Sequence, residues 1–189
     1  MARTLDTGID DAITSAALAL LSAEGFARMS MEGIARAAGV GKPALYRRFR
    51  DKTELVAAVI ASQLPTLDAP DLGDTRAELW HAMQRGLPAD GPAYVGLVGG
   101  LIAEQDRHPE LIEAFRRNVL APRRAIVAGI VERGRDRGAD VAAVDSQDAI
   151  DLLAGPFLAR VFAGLDTGPQ WREAGFERWW EFLSERKTA

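Results

Sequence analysis

The residues of this 189-residue chain best suited to chemistry are five cations crowded into one short stretch. Lys42, Arg47, Arg48, Arg50 and Lys52 stand against a single acid, Asp51, across residues 41–53, which leaves +4 locally in a chain of net charge −4. Such side chains hold phosphate oxygens and donate to base edges, so the chemistry on offer is recognition of duplex DNA. Tyr46 adds a hydroxyl with the reach of a phosphate oxygen. Catalysis finds no comparable cluster. Cysteine is absent, and the two histidines, His81 and His108, have no metal-binding spacing. Neither a nucleophile elbow nor a glycine-rich phosphate loop occurs. The expectation is a non-enzyme with no cofactor and no metal.

Charge of this kind needs elements that fix it. Ser30 suits an N-cap, its hydroxyl free to accept an orphan backbone N–H. Ile34, Ala35 and Ala38 then recur at helical spacing. Gly39 can take the left-handed conformation that ends a helix, and apolar Val40 anchors the turn. Pro43 suits a first helical turn, where its missing N–H costs nothing. Leu45 and Phe49, four apart, give the next helix a buried side. Asp51 with Glu54 resembles a capping box, so a third helix starts near Lys52. The pattern predicts a helix-turn-helix at about 30–49, with a recognition helix at 42–49.

That run resembles the DNA-binding region of TetR-family transcriptional regulators. Ile34-Ala35, Ala38-Gly39-Val40, Leu45-Tyr46-Arg47-Arg48-Phe49, Lys52, Glu54 and Leu55 fall on the family pattern. The resemblance implies that Ser30, Tyr46 and Lys52 hold phosphates. It implies that Lys42, Pro43, Ala44, Arg47 and Arg48 face base edges or the adjoining backbone, and that Met31 belongs to the same interface. Two positions depart from the pattern. Gly41 stands where a capping hydroxyl is common, and Ala44 where a hydroxylated residue is common. The implied function is a sequence-specific regulator, a repressor whose operator affinity falls when a small-molecule effector binds its C-terminal domain. An activator, a regulator without a ligand, and a helical ligand-binding protein without DNA binding are the other readings.

The rest of the chain reads as helix throughout, giving an all-α protein in two domains: 5–64, carrying the helix-turn-helix, and 75–187, for ligand binding and dimerisation. Ile9, Ile13, Ala16, Ala17, Leu20 and Leu21 line one face of a first helix at 9–24, which Gly25 ends, with Phe26 and Met29 filling the gap behind. Pro65, Pro70 and Gly73 mark the boundary. Residues 1–64 carry eight basic and seven acidic side chains, and the remainder carries 15 and 20, so the body would be repelled by DNA. Further helices are predicted at 75–86, 92–106, 109–118, 121–137, 146–163 and 170–186. Gly96, Gly99 and Gly100 suggest close helix packing, and Arg133, Arg135 and Arg137 a solvated helix end. The last two helices are rich in apolar residues, and Ile150, Leu153, Phe157, Val161, Phe176, Trp179, Trp180 and Leu183 are expected at a homodimer interface. A dimer suits a palindromic operator in double-stranded DNA. Trp80, His81, Met83, Tyr94, Phe115 and Phe157 are candidates for an effector cavity. Arg3 is a candidate DNA arm. With no signal-like N-terminus and no long apolar run, no membrane contact and a cytoplasmic location are expected.

Overall fold

A computed structural model describes residues 2–88, 90–139 and 145–184, apart from the side chains of residues 2–7 and 149. The side chain of Arg3 and the predicted limit at 187 lie outside what is described. The described residues form ten α-helices and no strand: α1 (Ala2–Glu24), α2 (Met31–Ala37), α3 (Lys42–Tyr46), α4 (Lys52–Ser62), α5 (Thr75–Gly86), α6 (Gly91–Ala103), α7 (Pro109–Phe115), α8 (Ala121–Asp136), α9 (Ser146–Phe162) and α10 (Pro169–Ser184). One π-helical turn, Arg116–Leu120, joins α7 to α8.

Local chemistry sets most boundaries. Gly25 and Gly39 take positive φ of 77° and 67° after α1 and α2, where a side chain would be strained. Asp51 accepts from Glu54 N at 2.8 Å while Glu54 Oε2 accepts from Arg50 N at 2.9 Å, a near-reciprocal cap on α4. Asp74 caps α5 by accepting from Arg76 N and Ala77 N. Gly96, Gly99 and Gly100 do not serve close packing. A Cβ on any of them would meet nothing within 4 Å.

The chain forms two compact units that do not follow its linear order. One joins residues up to 63 with 96–120. Its centre is α4, whose Leu55, Val56, Ala57, Val59 and Ile60 are all fully buried. Such burial around the whole helix follows from its partners: α1, α7 and the π turn all pack on it. The segment 96–120 joins the helix-turn-helix because Leu111, Ile112, Phe115 and Val119 offer it an apolar face.

The other unit takes residues 64–95 and 121 onward. Its core is Leu79, Ala82, Met83, Val127, Ile130, Val131, Ile150, Phe176, Trp179 and Leu183. Five residues expected at a dimer face, Ile150, Phe157, Phe176, Trp179 and Leu183, are thus buried within the single chain. Leu153, Val161 and Trp180 are half-buried. The large apolar side chains that α9 and α10 leave exposed are Leu152, Leu158, Phe162 and Phe182, with Leu165 in the turn between them.

Glu78 sits fully buried on the inward stripe of α5, beside Leu79. Its Oε1 accepts from Leu72 N at 3.0 Å and Arg137 Nη1 at 2.9 Å, and its Oε2 accepts from Arg133 Nη2 at 3.0 Å. Arg133 and Arg137 are therefore not a solvated helix end. They clamp α8 to α5, and only Arg135, paired with Glu132 at 2.7 Å, follows the helix surface. The clamp demands close approach. A Cβ on Gly134 would lie 2.6 Å from Thr75 Cγ2 and 2.7 Å from its Oγ1. Thr75 is short and branched and cannot swing away, so Gly134→Ala should cost about 1–3 kcal/mol in urea unfolding. An unchanged midpoint would mean that α5 and α8 separate freely.

Candidate nucleic-acid interface

The recognition element is built from the back outward. Leu45 of α3 is fully buried and Phe49 half-buried, which seats the helix. Gly41 occupies its N-cap without a side-chain bond, and Pro43 lies in the first turn. The helix is shorter than the 42–49 expected. After Tyr46, Arg48 N reaches back three residues to Leu45 O at 3.0 Å, a tightening that ends the α-helical run. Ser30 Oγ accepts from Gly33 N at 3.1 Å, so its hydroxyl caps α2. Met31 is buried and supports the motif from inside.

Across residues 42–47 four side chains face outward. Lys42, Pro43, Tyr46 and Arg47 are exposed, with Ala44 half-buried among them. Tyr46 is 48% exposed, unusual for an aromatic side chain at the centre of a small motif. The Arg47 side chain makes no hydrogen bond or ion pair among the described residues. Lys42 Nζ lies 3.2 Å from Glu32 Oε1, on the exposed surface. A backbone hydrogen bond, then the Lys42 ammonium, hold the Glu32 carboxyl below its ordinary range.

Two cations expected at the DNA are committed elsewhere. Arg48 pairs with Asp10 of α1 through Nε and donates to Ala44 O at 3.2 Å through Nη1, leaving its side chain 11% exposed. It ties the end of the recognition element to α1 and is poorly placed to reach a base edge. Asp10 was the missed partner, and nothing in its local sequence distinguishes it from Asp11. Lys52 donates to Phe26 O at 2.7 Å and Met29 O at 3.2 Å, with Nζ 4.1 Å from the Phe26 ring centre. Burial pushes its ammonium pKa down. Two of its three donors thus close the loop between α1 and α2. Lys52→Ala should destabilise this unit by about 1–3 kcal/mol, through carbonyls left without a donor. Chemical unfolding followed by circular dichroism reads that loss, and a shift below about 0.5 kcal/mol would return Lys52 to the surface.

The expected effector residues do not converge. The Trp80 ring packs 5.0 Å from that of Phe176, and His81 Nε2 lies 2.9 Å from Asp68 Oδ1. Tyr94 is half-buried, its phenol pKa raised by burial. Phe157 is 2% exposed, and Phe115 belongs to the unit around α4. Of the six, Met83 is the one that lines the cavity of about 490 Å³ beside α9 and α10.

A two-helix motif that seats one helix firmly and turns Lys42 and Arg47 outward, on an all-α scaffold, defines a helix-turn-helix DNA-binding protein. The chain belongs to the TetR family of bacterial regulatory proteins. The family's N-terminal model matches residues 13–59, and that of the tetracyclin repressor-like C-terminal domain matches residues 69–174. The HTH-type transcriptional regulator YdeS of Bacillus subtilis (strain 168) is 30% identical over 165 residues, covering 84% of this chain and 81% of the relative. The flavonoid-responsive regulator FrrA superposes with a TM-score of 0.61 at 26% identity, over 94% of this chain and 98% of that one. A TetR-family regulator of Pseudomonas syringae pv. tomato str. DC3000 shares the fold, with a TM-score of 0.63 at 20% identity over 93% and 94% of the two chains.

Proposed function

We propose that this regulator is a homodimeric repressor that inserts α3 into successive major grooves of a palindromic operator and is released by a small-molecule effector. The observation that carries the reading is the division of labour on α3: Lys42, Tyr46 and Arg47 face outward while Leu45 and Arg48 hold the helix from behind. In this reading Lys42 and Tyr46 hold phosphates, Arg47 donates to a base edge, and Pro43 and Ala44 make apolar contacts. Exposed Leu158, Phe162 and Leu165 support a partner seated on the outer face of α9, with Phe162 77% exposed. The cavity beside α10 supports an effector, as does likeness to a regulator described as flavonoid-responsive. The effector acts by its differential affinity for conformations that fit the operator and those that do not.

Selection from a random duplex pool, followed by anisotropy titration at two salt concentrations, tests this. A palindrome bound by a dimer with steep salt dependence is expected. No enrichment, with weak binding even at low salt, would end the proposal.

A further inference from the structure

We infer that the cavity beside α9 and α10 takes a small apolar anion, a carboxylate carried on an alkyl or aryl body. This rests on the reading that the C-terminal unit binds an effector, and it names that effector's chemistry. The volume, about 490 Å³, suits a small molecule. Met83, Leu152, Leu153, Trp179 and Phe182 give the wall its apolar character. The charged residues lining it are Arg160, Arg172 and Arg178, and no lining residue is acidic. In a stretch with 15 basic and 20 acidic side chains after residue 64, three cations without an acid reverse the local sign.

What holds these arginines matters more than their number. Arg160 Nε donates to Asp166 O at 2.7 Å, and its guanidinium carbon lies 5.0 Å from the Trp171 ring centre. Arg172 donates to Thr167 O at 2.8 Å and Pro88 O at 3.2 Å, and lies 5.7 Å from the Phe157 ring centre. Carbonyls and rings orient a guanidinium without neutralising it. Arg178 makes no hydrogen bond or ion pair among the described residues. Oriented, uncompensated guanidinium groups beside an apolar wall are suited to a carboxylate, which accepts two parallel N–H bonds.

The acids of α10 do not supply that carboxylate. Glu173, Glu177 and Glu181 recur every four residues on one face, whereas Trp171, Gly175, Arg178 and Phe182 form another. Glu177 is already paired with Arg76. A second copy of the chain is the less favoured occupant, because the outward Leu158 and Phe162 lie on a different face of α9 from Leu152, Pro156 and Ala159.

Calorimetric titration of the full chain with octanoate and 4-phenylbutanoate, against octanol and octyltrimethylammonium, tests the charge preference. At least one carboxylate should bind about tenfold more tightly than either eight-carbon control. Arg178→Gln, at an exposed residue with no partner to lose among the described residues, should weaken that carboxylate several-fold and leave octanol within about twofold. Arg160→Gln should do the same. Equal affinity for the three head groups, no binding of either carboxylate, or binding indifferent to both substitutions would overturn the inference. So would binding seen only after dilution to monomer, which would give the cavity to a second copy. Operator anisotropy in the same solutions separates the two readings. A carboxylate that binds through the arginines and leaves operator affinity unchanged upholds this site and removes the effector mechanism.

Discussion

Glu78→Ala is expected to destabilise the C-terminal unit by about 3–5 kcal/mol, the cost of removing one partner of a buried ion pair. The loss has a definite origin. The carboxylate satisfies Arg133, Arg137 and the Leu72 amide together; Arg133 and the Leu72 amide lose that acceptor outright, whereas Arg137 keeps Asp71 Oδ1 at 2.9 Å and Thr75 Oγ1 at 3.3 Å. Arg133 has no slack, since its buried Nε already lacks a hydrogen-bond partner. Arg137 and Leu72 are better able to recruit water, which favours the lower end of the range. All four tryptophans, at 80, 171, 179 and 180, belong to this unit, so their fluorescence reports its unfolding alone. At about 2–4 °C per kcal/mol for a chain of this size, the midpoint should fall by at least about 6 °C. The pH dependence gives an independent check. Arg137, more than any other group, lowers the Glu78 pKa from 4.5 to about 2. A carboxyl depressed on folding contributes stability above its unfolded pKa and loses it as pH falls through the folded one. Wild type should therefore lose about 3 kcal/mol between pH 5 and pH 2 that the variant has already lost. Parallel acid curves for the two proteins would place Glu78 outside the clamp.

How far the sequence carried this reading depended on the range of the interaction. Helix ends were legible because caps are local: Asp51 finds Glu54 N three residues away, and Pro43 and Pro109 sit in first turns. The two-helix motif was legible for the same reason. The clamp on Glu78 was not, since its arginines lie 55 and 59 residues downstream. A signal was nevertheless present. Thr75, Glu78, Leu79, Ala82 and Met83 follow one helical stripe, and a carboxylate within an apolar stripe requires a buried cation. The tryptophan-rich end of the chain misled for a physical reason. Apolar periodicity says that a face is covered and leaves open whether its own chain or a second copy covers it, and Trp179 and Leu183 are covered by their own chain. The cavity arginines were illegible because their carbonyl partners, on Pro88, Asp166 and Thr167, carry no sequence signature.

The same distinction between local and distant partners separates two neighbouring arginines. Arg47→Ala should change which operator sequences are preferred, costing about 1–3 kcal/mol of discrimination at a single base pair, or about fivefold to 150-fold in relative affinity. Its unfolding curve should stay within about 0.5 kcal/mol of wild type, because the side chain has no partner to lose among the described residues. Arg48→Ala should do the reverse. Without its bonds to Asp10 and Ala44 O, the end of the recognition element is no longer tied to α1, so stability falls and every operator is bound more weakly in the same proportion. Binding of each variant to a set of single-base operator changes, with urea unfolding alongside, distinguishes the two. The charges of Arg47 and Arg48 are the same, so electrostatic attraction to phosphate predicts equal losses for both. Equal and sequence-independent losses would accordingly mean that the basic stretch acts as diffuse charge, and that the tether between Asp10 and Arg48 has no part in reading DNA. Opposite signatures would mean that the chain uses one arginine to aim the other.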